Sequence, residues 1–191
     1  MAKAKLNGAD YLLLLLYLNH HQPILGAVRL IKMMFLFEQE IEPMLKAKGL
    51  DSENLPGFIA YNFGPFSKDV YEQVELFKGI KFIQVSNIYT NEEMAEVDDL
   101  EESPFTDEMY NRGYSLNTDG KYYKYQILST GERYVEEKIL PHITDEQLNI
   151  LSSFKNKITS LSPKQILKYV YTKYPKYAEN SLIKKEVLDD D

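Results

Sequence analysis

The most constraining feature of this sequence is a helical segment at 24–42 that is apolar on two sides. At the 3.6-residue period of an α-helix, its large apolar residues fall into two separate stripes. The first stripe holds Ile24, Val28, Ile31 and Phe35, and the second holds Leu30, Met34, Phe37 and Ile41. A helix that is apolar on two sides must bury both, so this segment is predicted to lie at the centre of the core.

The remaining face of the same helix carries Arg29, Lys32 and Glu40 together with Met33 and Leu36. Two interpretations stay open for it. Either the C-terminal helices cover this face, or Met33 and Leu36 form an apolar patch for a partner, flanked by Arg29 and Lys32. Coverage is favoured, because the residues after 141 must pack somewhere.

Composition and run length exclude several classes of protein. The chain of 191 residues has no cysteine, which excludes a disulfide framework and cysteine-based chemistry. The apolar run at 11–18 has eight residues, whereas a membrane-spanning helix needs about 20, so a buried helix is predicted there. Since no signal peptide is evident, we expect a cytoplasmic protein that binds no membrane.

Charge is distributed unevenly along the chain. Residues 91–108 hold nine of the 29 acidic residues and no base, and without them the bases outnumber the acids by two. Residues 155–185 hold eight lysines and a single acid, Glu179. The pattern indicates an acidic arm and a basic C-terminal region, and the arm is interpreted as solvated rather than as a calcium loop, whose ligand spacing it lacks.

The segment AYNFGPFSKDVYEQVELF, at 60–77, predicts a turn followed by a capped helix. Gly64 and Pro65 turn the chain, and Ser67 is placed to accept a hydrogen bond from the first helical turn as its N-cap. Phe66, just before the cap, is spaced with Tyr71 as a hydrophobic staple. These features predict a helix that begins after Ser67 and ends at Gly79, and they do not depend on the identity of its partner.

Local signals place the other elements. Asn7 with Asp10 predicts the start of a first helix, Ile80 begins a strand, and Asp119-Gly120 predicts a hairpin. Capping boxes are predicted at Ser129 with Glu132, Thr144 with Gln147, and Ser162 with Gln165. The order is typical of a winged helix-turn-helix, in a mainly α fold with a small antiparallel β ribbon (α+β). We expect a winged-helix domain at 1–141, with the acidic insertion 91–108, and a C-terminal helical extension at 142–191 that packs on it.

Four segments carry a resemblance to a known family: LGAVRLIKMMFLFE at 25–38, YNFGPFSKDVYEQVELF at 61–77, YQILSTGERYVEE at 125–137 and LKYVYTKYPKYAENS at 167–181. Together they resemble the Panacea domain of antitoxins and phage-associated proteins, and related prokaryotic winged-helix proteins. The resemblance implies a non-enzymatic protein that acts by binding, as a toxin neutraliser or proteolytic adaptor.

The residues themselves predict no catalytic, metal or cofactor site. His20 and His21 are adjacent, so on a helix they point about 100° apart and do not form a shared ligand pair. They and His142 are interpreted as surface histidines. Gly64 and Gly79 are too far apart for a phosphate-binding loop. We therefore expect no enzyme activity, no cofactor and no bound metal.

The helix at 67–78 decides between a protein and a DNA partner. Its predicted outward residues are two bases and three acids: Lys68, Asp69, Glu72, Glu75 and Lys78. Affinity for DNA depends on neutralising phosphates, and no arginine is present to contact guanine. A regulatory protein-binding module is therefore favoured, with Lys68, Glu72 and Glu75 as candidate contacts. A DNA-binding transcriptional regulator is the alternative, and a dimer would double its small footprint.

The lysines and tyrosines of KYVYTKYPKY, at 168–177, also leave two interpretations open. Alternating lysines and aromatic rings are typical of single-stranded nucleic-acid binding. An amphipathic helix with Val170, Tyr171 and Tyr174 turned inward is the favoured alternative. The basic region is also a candidate docking place for the acidic arm.

Overall fold

The structure is a computed structural model that describes residues 5–89 and 121–189. Over these residues the protein is mainly helical with small β-sheets, which confirms the predicted α+β class. The acidic segment 91–108 and the Asp119-Gly120 turn lie outside the described residues. Among the residues described, no helix is long and apolar enough to cross a bilayer.

The first part of the described chain supplies the two central helices and five short strands. Its elements are β1 (Lys5–Asn7), α1 (Gly8–His21), β2 (Ile24–Leu25), α2 (Ala27–Leu36), a π-helical turn (Phe37–Ile41), α3 (Glu42–Ala47), β3 (Asp51–Glu53), β4 (Ile59–Tyr61), β5 (Gly64–Phe66) and α4 (Lys68–Gly79).

The second part forms a ribbon and a layer of helices. Its elements are β6 (Ile83–Tyr89), β7 (Lys121–Ile127), α5 (Ser129–Tyr134), a π-helical turn (Val135–Ile139), a 3₁₀ turn (Leu140–His142), α6 (Asp145–Ser160), α7 (Pro163–Lys173), a second 3₁₀ turn (Pro175–Ala178) and α8 (Lys184–Asp189).

The main sheet has three antiparallel strands in the order β2–β7–β6. In it Tyr125 of β7 lies opposite Ile24 on one side and opposite Val85 on the other. Two smaller pairs accompany it: β1 with β3 in parallel, and β4 with β5 as an antiparallel hairpin. The strand β2 therefore joins the loop between α1 and α2 to the ribbon.

The core is built around α1 and α2. The predicted buried run is buried in full from Tyr11 to Leu16 and again at Leu18, while Tyr17 is half-buried. Both predicted stripes of α2 are buried as well. Helices α6 and α7 pack against α1 and α2 respectively, so the C-terminal region completes the core rather than standing apart from it.

Most predicted helix starts are confirmed by side-chain hydrogen bonds. Reciprocal capping boxes form between Asn7 and Asp10, Thr144 and Gln147, and Ser162 and Gln165. Pro163 occupies the first turn of α7, where its missing N–H costs nothing. The box predicted at Ser129 and Glu132 is wrong: Leu128 is the N-cap, and no side chain caps α5. Thr130 instead donates its hydroxyl hydrogen to the carbonyl of Lys81, beside the sheet.

Two local features of the first half differ from the sequence prediction. The helical segment predicted at 24–42 continues beyond residue 42, since Pro43 lies in the first turn of α3, directly after the π-helical turn. Gly64 and Pro65 are not the turn itself. They lie in β5, opposite Tyr61 and Ala60, and the chain reverses at Asn62 and Phe63.

Candidate interaction surface

Helix α4 begins at the cap that the sequence predicts. The Ser67 hydroxyl accepts a hydrogen bond from the Val70 amide at 3.4 Å, and Ser67 is buried. The rings of Phe66 and Tyr71 lie 5.4 Å apart, as a staple requires. Val70, Val74 and Phe77 are buried. One face of α4 is thus anchored and the other is presented to solvent.

The glycine before the cap is required by both backbone and packing. Gly64 has a φ of 88°, in the left-handed region that favours glycine. A Cβ at this position would lie 2.6 Å from Cε1 of Tyr171. The hydroxyl of Tyr171 is in turn hydrogen-bonded to Ser181 Oγ at 2.9 Å. The hairpin that leads into α4 therefore rests directly on α7 and the segment that follows it.

A buried lysine of α2 is hydrogen-bonded to the same hairpin. Lys32 is only 1 % exposed, and its ammonium group donates a hydrogen bond to the Pro65 carbonyl at 2.9 Å. Burial lowers the pKa of Lys32 to about 7, because an apolar environment disfavours the charged form. Lys32 thus joins α2 to the entrance of α4, a contact between residues 33 positions apart.

The charges on the outward face of α4 are paired within the helix. Lys68 forms an ion pair with Glu72 at 3.1 Å, and Lys78 forms one with Glu75 at 2.9 Å. All four side chains are exposed, as is Asp69. Neither lysine of α4 is therefore an unpaired cation, and the face keeps a net negative charge.

Two exposed apolar side chains complete this face, and sequence reasoning missed them. Leu76 is 57 % exposed and Ile80, just after the helix, is 47 % exposed. They are four positions apart, the spacing that places two residues on one face of a helix. That spacing is present in the sequence, but the sequence prediction considers only charged residues as outward on this helix and places Ile80 at the start of a strand.

The other candidate contacts on α2 are not on the surface. Lys32, Met33 and Leu36 are at most 1 % exposed, so they are withdrawn from the candidate partner surface. Arg29 is half-buried, and its guanidinium donates to the carbonyls of Leu25 and Leu161. The face of α2 is covered by the C-terminal helices, the interpretation that the sequence favoured.

The basic C-terminal region is less basic at its surface than its composition suggests. Lys155 is fully buried, and its ammonium donates to the carbonyls of Leu18 at 2.7 Å and Gln22 at 2.6 Å. Burial lowers its pKa to about 7. These carbonyls flank three consecutive left-handed residues, Asn19 to His21, which interrupt the helical backbone at the end of α1. Lys155 therefore satisfies backbone acceptors and is not available to phosphate.

The tyrosines of this region are engaged in packing. Tyr171 is buried, and Tyr177 packs edge-on against Phe35 with ring centroids 4.7 Å apart. The hydroxyls of Tyr169 and Tyr174 both donate to Glu40 Oε1 at 2.8 Å. These contacts agree with the amphipathic-helix interpretation. They engage the four tyrosines within the protein, so these rings are not arranged to stack on bases.

The histidines do not gather into a ligand set. His20 is exposed, and His21 Nδ1 lies 3.1 Å from Glu132 Oε1. His142 is exposed on the 3₁₀ turn after α5. Within 5–89 and 121–189, no three histidine or acidic side chains are placed to hold a metal ion.

Comparison with known proteins identifies no protein similar to this chain: no family model, no curated protein and no solved structure matches it. The Panacea resemblance therefore stays a prediction.

Proposed function

We propose that this protein is a non-enzymatic regulatory module that binds another protein through the outward face of α4. The observation that carries the proposal is the composition of that face. Its two lysines are already paired with glutamates, and Leu76 and Ile80 are exposed beside them. Apolar side chains surrounded by charged ones are typical of protein-binding surfaces, whereas affinity for duplex DNA comes from cations that neutralise phosphates.

A winged-helix arrangement is part of this proposal. Its support is the connectivity: α1, β2, α2 and α4 are followed by the paired strands β6 and β7, and β2 pairs with β7. In such an arrangement α4 takes the position of a recognition helix, and β6 with β7 takes that of the wing. The segment from the π-helical turn to β5 is then an insertion between the second and third helices.

DNA binding on the same scaffold is the second candidate, favoured only by that connectivity. A recognition helix approaches phosphates closely, and Glu72 and Glu75 are both exposed on α4. They would bring carboxylates toward the duplex, and the paired lysines would have to break their ion pairs first. The partner that best fits the Panacea resemblance is instead a toxin or another regulated protein in the cytoplasm.

The test is copurification from the native cell with variants of the proposed face. Tagged wild type is compared with Leu76→Glu/Ile80→Glu, and proteins and nucleic acid in the eluate are both quantified. We expect one protein to be enriched with wild type and depleted at least about tenfold with the double variant, as loss of an interface anchor worth 1.4 kcal/mol predicts.

The matched control is Leu182→Glu, because Leu182 is another exposed apolar side chain, at 73 % exposure. The control should retain the partner. A partner lost equally with Leu182→Glu would show general hydrophobic adhesion instead of binding by α4. Nucleic acid recovered without an enriched protein would favour the DNA-binding alternative.

A further inference from the structure

A groove separate from α4 opens between the start of α3 and helix α6, with a volume of about 460 Å³. Its walls are apolar: Ile41 and Met44 lie on one side, and Ile150 and Phe154 on the other. Met44 is 48 % exposed, so apolar surface remains open to solvent here. Small-molecule sites in proteins have volumes of about 300–1,000 Å³ and predominantly apolar walls.

Both carboxylates at the groove are already neutralised. Glu40 Oε1 accepts hydrogen bonds from Lys173 Nζ at 2.9 Å and from the hydroxyls of Tyr169 and Tyr174. Burial alone would raise the pKa of Glu40, but these hydrogen bonds outweigh it and hold the pKa below its usual value. At the other end, Glu146 is paired with Lys48. Each carboxylate therefore already has a cationic partner within the protein, and neither favours a cationic ligand.

The remaining charge of the groove is the ammonium group of Lys157. It lies 5.5 Å from the centre of the Tyr169 ring, and no carboxylate of the described residues lies within ion-pair distance of it. Asn149 and Ser153 add polar side chains to the same helical face. The groove thus combines an apolar wall with one cation that has no anionic partner in the described part of the chain.

We propose that this groove binds a small organic carboxylate, with its aliphatic or aromatic body against Ile41, Met44, Ile150 and Phe154 and its carboxylate on Lys157. An amine of the same shape would place its charge beside Lys157 and be disfavoured. A neutral alcohol would keep the apolar contacts and lose the ion pair. The site is independent of the partner that α4 binds.

The test uses three ligands with the same apolar body: octanoate, octan-1-ol and octylamine. Each is titrated into the full-length wild-type protein labelled at isoleucine and methionine methyl groups, and the methyl resonances are followed by NMR. We expect saturable shifts of the Met44 and Ile150 methyls with octanoate. Octanol should bind roughly threefold to fivefold more weakly, the contribution of one solvent-accessible ion pair, and octylamine more weakly still.

Variants of exposed residues separate the two parts of the site. Lys157→Gln should lower octanoate affinity to that of octanol and leave octanol affinity unchanged, whereas Lys157→Arg should retain the preference for the carboxylate. Lys138→Gln removes an exposed lysine that does not line the groove and is the matched control. Ser153→Phe fills the groove and should weaken all three ligands.

Three results would each overturn the proposal. The first is the absence of saturable shifts with octanoate in wild type. The second is equal affinity for octanoate and octanol, which would show an apolar groove that does not recognise a carboxylate. The third is a preference for octanoate that persists in Lys157→Gln, since the cation would then lie elsewhere.

Discussion

At the residue scale, two side-chain choices hold the entrance of α4 in place. Gly64 permits a left-handed backbone against the ring of Tyr171, and Lys32 supplies a buried donor to the next carbonyl, that of Pro65. The same short hairpin is therefore in contact with α7, through Gly64 and Tyr171, and with α2, through Lys32. A substitution at Gly64 or Lys32 should lower the free energy of unfolding more than it lowers the affinity for a partner.

Replacing Gly64→Ala should destabilise the fold by more than about 2 kcal/mol, because a Cβ at positive φ costs about 1–2 kcal/mol and here also meets the ring of Tyr171 at 2.6 Å. Gly57→Ala is the matched control, since nothing lies within 4 Å of a Cβ there. Urea denaturation of the two variants measures the difference. Equal midpoints would show that the hairpin moves away from Tyr171 without cost.

Lys32 should make stability depend on pH. Its pKa is about 7 in the folded protein and near 10.4 in an unfolded chain. Between these values only the unfolded chain carries the proton, so the free energy of unfolding rises with pH, by at most about 1.4 kcal/mol per pH unit for this residue. Below pH 7 both states are protonated and this dependence ends.

Lys32→Met should therefore reduce the rise in unfolding free energy between pH 7 and 9, as measured by urea denaturation, and leave the part due to Lys155, whose pKa is also lowered to about 7. The variant also loses the hydrogen bond to Pro65, so the slope against pH is the informative quantity and not the absolute stability. Lys138→Met, at an exposed position, should keep the wild-type slope. Parallel slopes for wild type and Lys32→Met would mean that Lys32 stays charged in the folded state.

At the element scale, helix starts were predicted well because capping is local. The hydrogen bonds of a capping box join residues three positions apart, so a short stretch of sequence contains both donors and acceptors. The exception is instructive. Ser129 with Glu132 has the spacing of a box, yet the contact of Thr130 with Lys81 and the pairing of β7 shift the start of α5 by one residue.

That difference can be measured with a pair of serine variants. Ser67→Ala should cost about 0.5–1 kcal/mol, the lower part of the range for N-caps, because its hydrogen bond to Val70 is long at 3.4 Å. Ser129→Ala should be nearly neutral, since Ser129 is exposed and makes no cap bond. Thermal and urea midpoints would check both. A larger loss at Ser129 would restore the predicted box.

At the scale of the whole molecule, charge pairing and burial change what the composition implies. Of the lysines in 155–185, Lys155 is buried and Lys173 is bound to Glu40. On α4, both lysines are paired with glutamates. The described part of the protein consequently presents fewer free cations than its sequence contains, and two of its exposed large apolar residues, Leu76 and Ile80, lie at the end of α4.

Duplex DNA binding should accordingly be weak, without sequence preference, and carried by the exposed lysines after residue 156. Deleting 91–108 should strengthen it, because nine carboxylates no longer compete, and the gain should fade steeply with salt as counterion release requires. Reversing Glu72 and Glu75 to lysine should also strengthen it, by a factor similar to that of the control pair Glu136→Lys/Glu137→Lys.

Titration of labelled duplexes across salt concentrations measures these effects. A much larger gain for the α4 reversal than for the control pair would mean that α4 does meet the duplex. A wild-type preference for one sequence of more than roughly 10³-fold, the lower end for specific binders, would make the protein a DNA regulator and remove the protein-partner proposal.

The sequence by itself determined the buried helices and most caps, since hydrophobic period and capping are properties of neighbouring residues. Only the tertiary structure decided the burial of Lys32 and Lys155 and the exposure of Leu76. Lys155 meets the carbonyl of Leu18 across 137 positions of sequence, and no local pattern encodes such a contact. Because burial depends on which distant elements cover a face, the candidate surface lost its buried α2 residues and gained Leu76 and Ile80 at the end of α4.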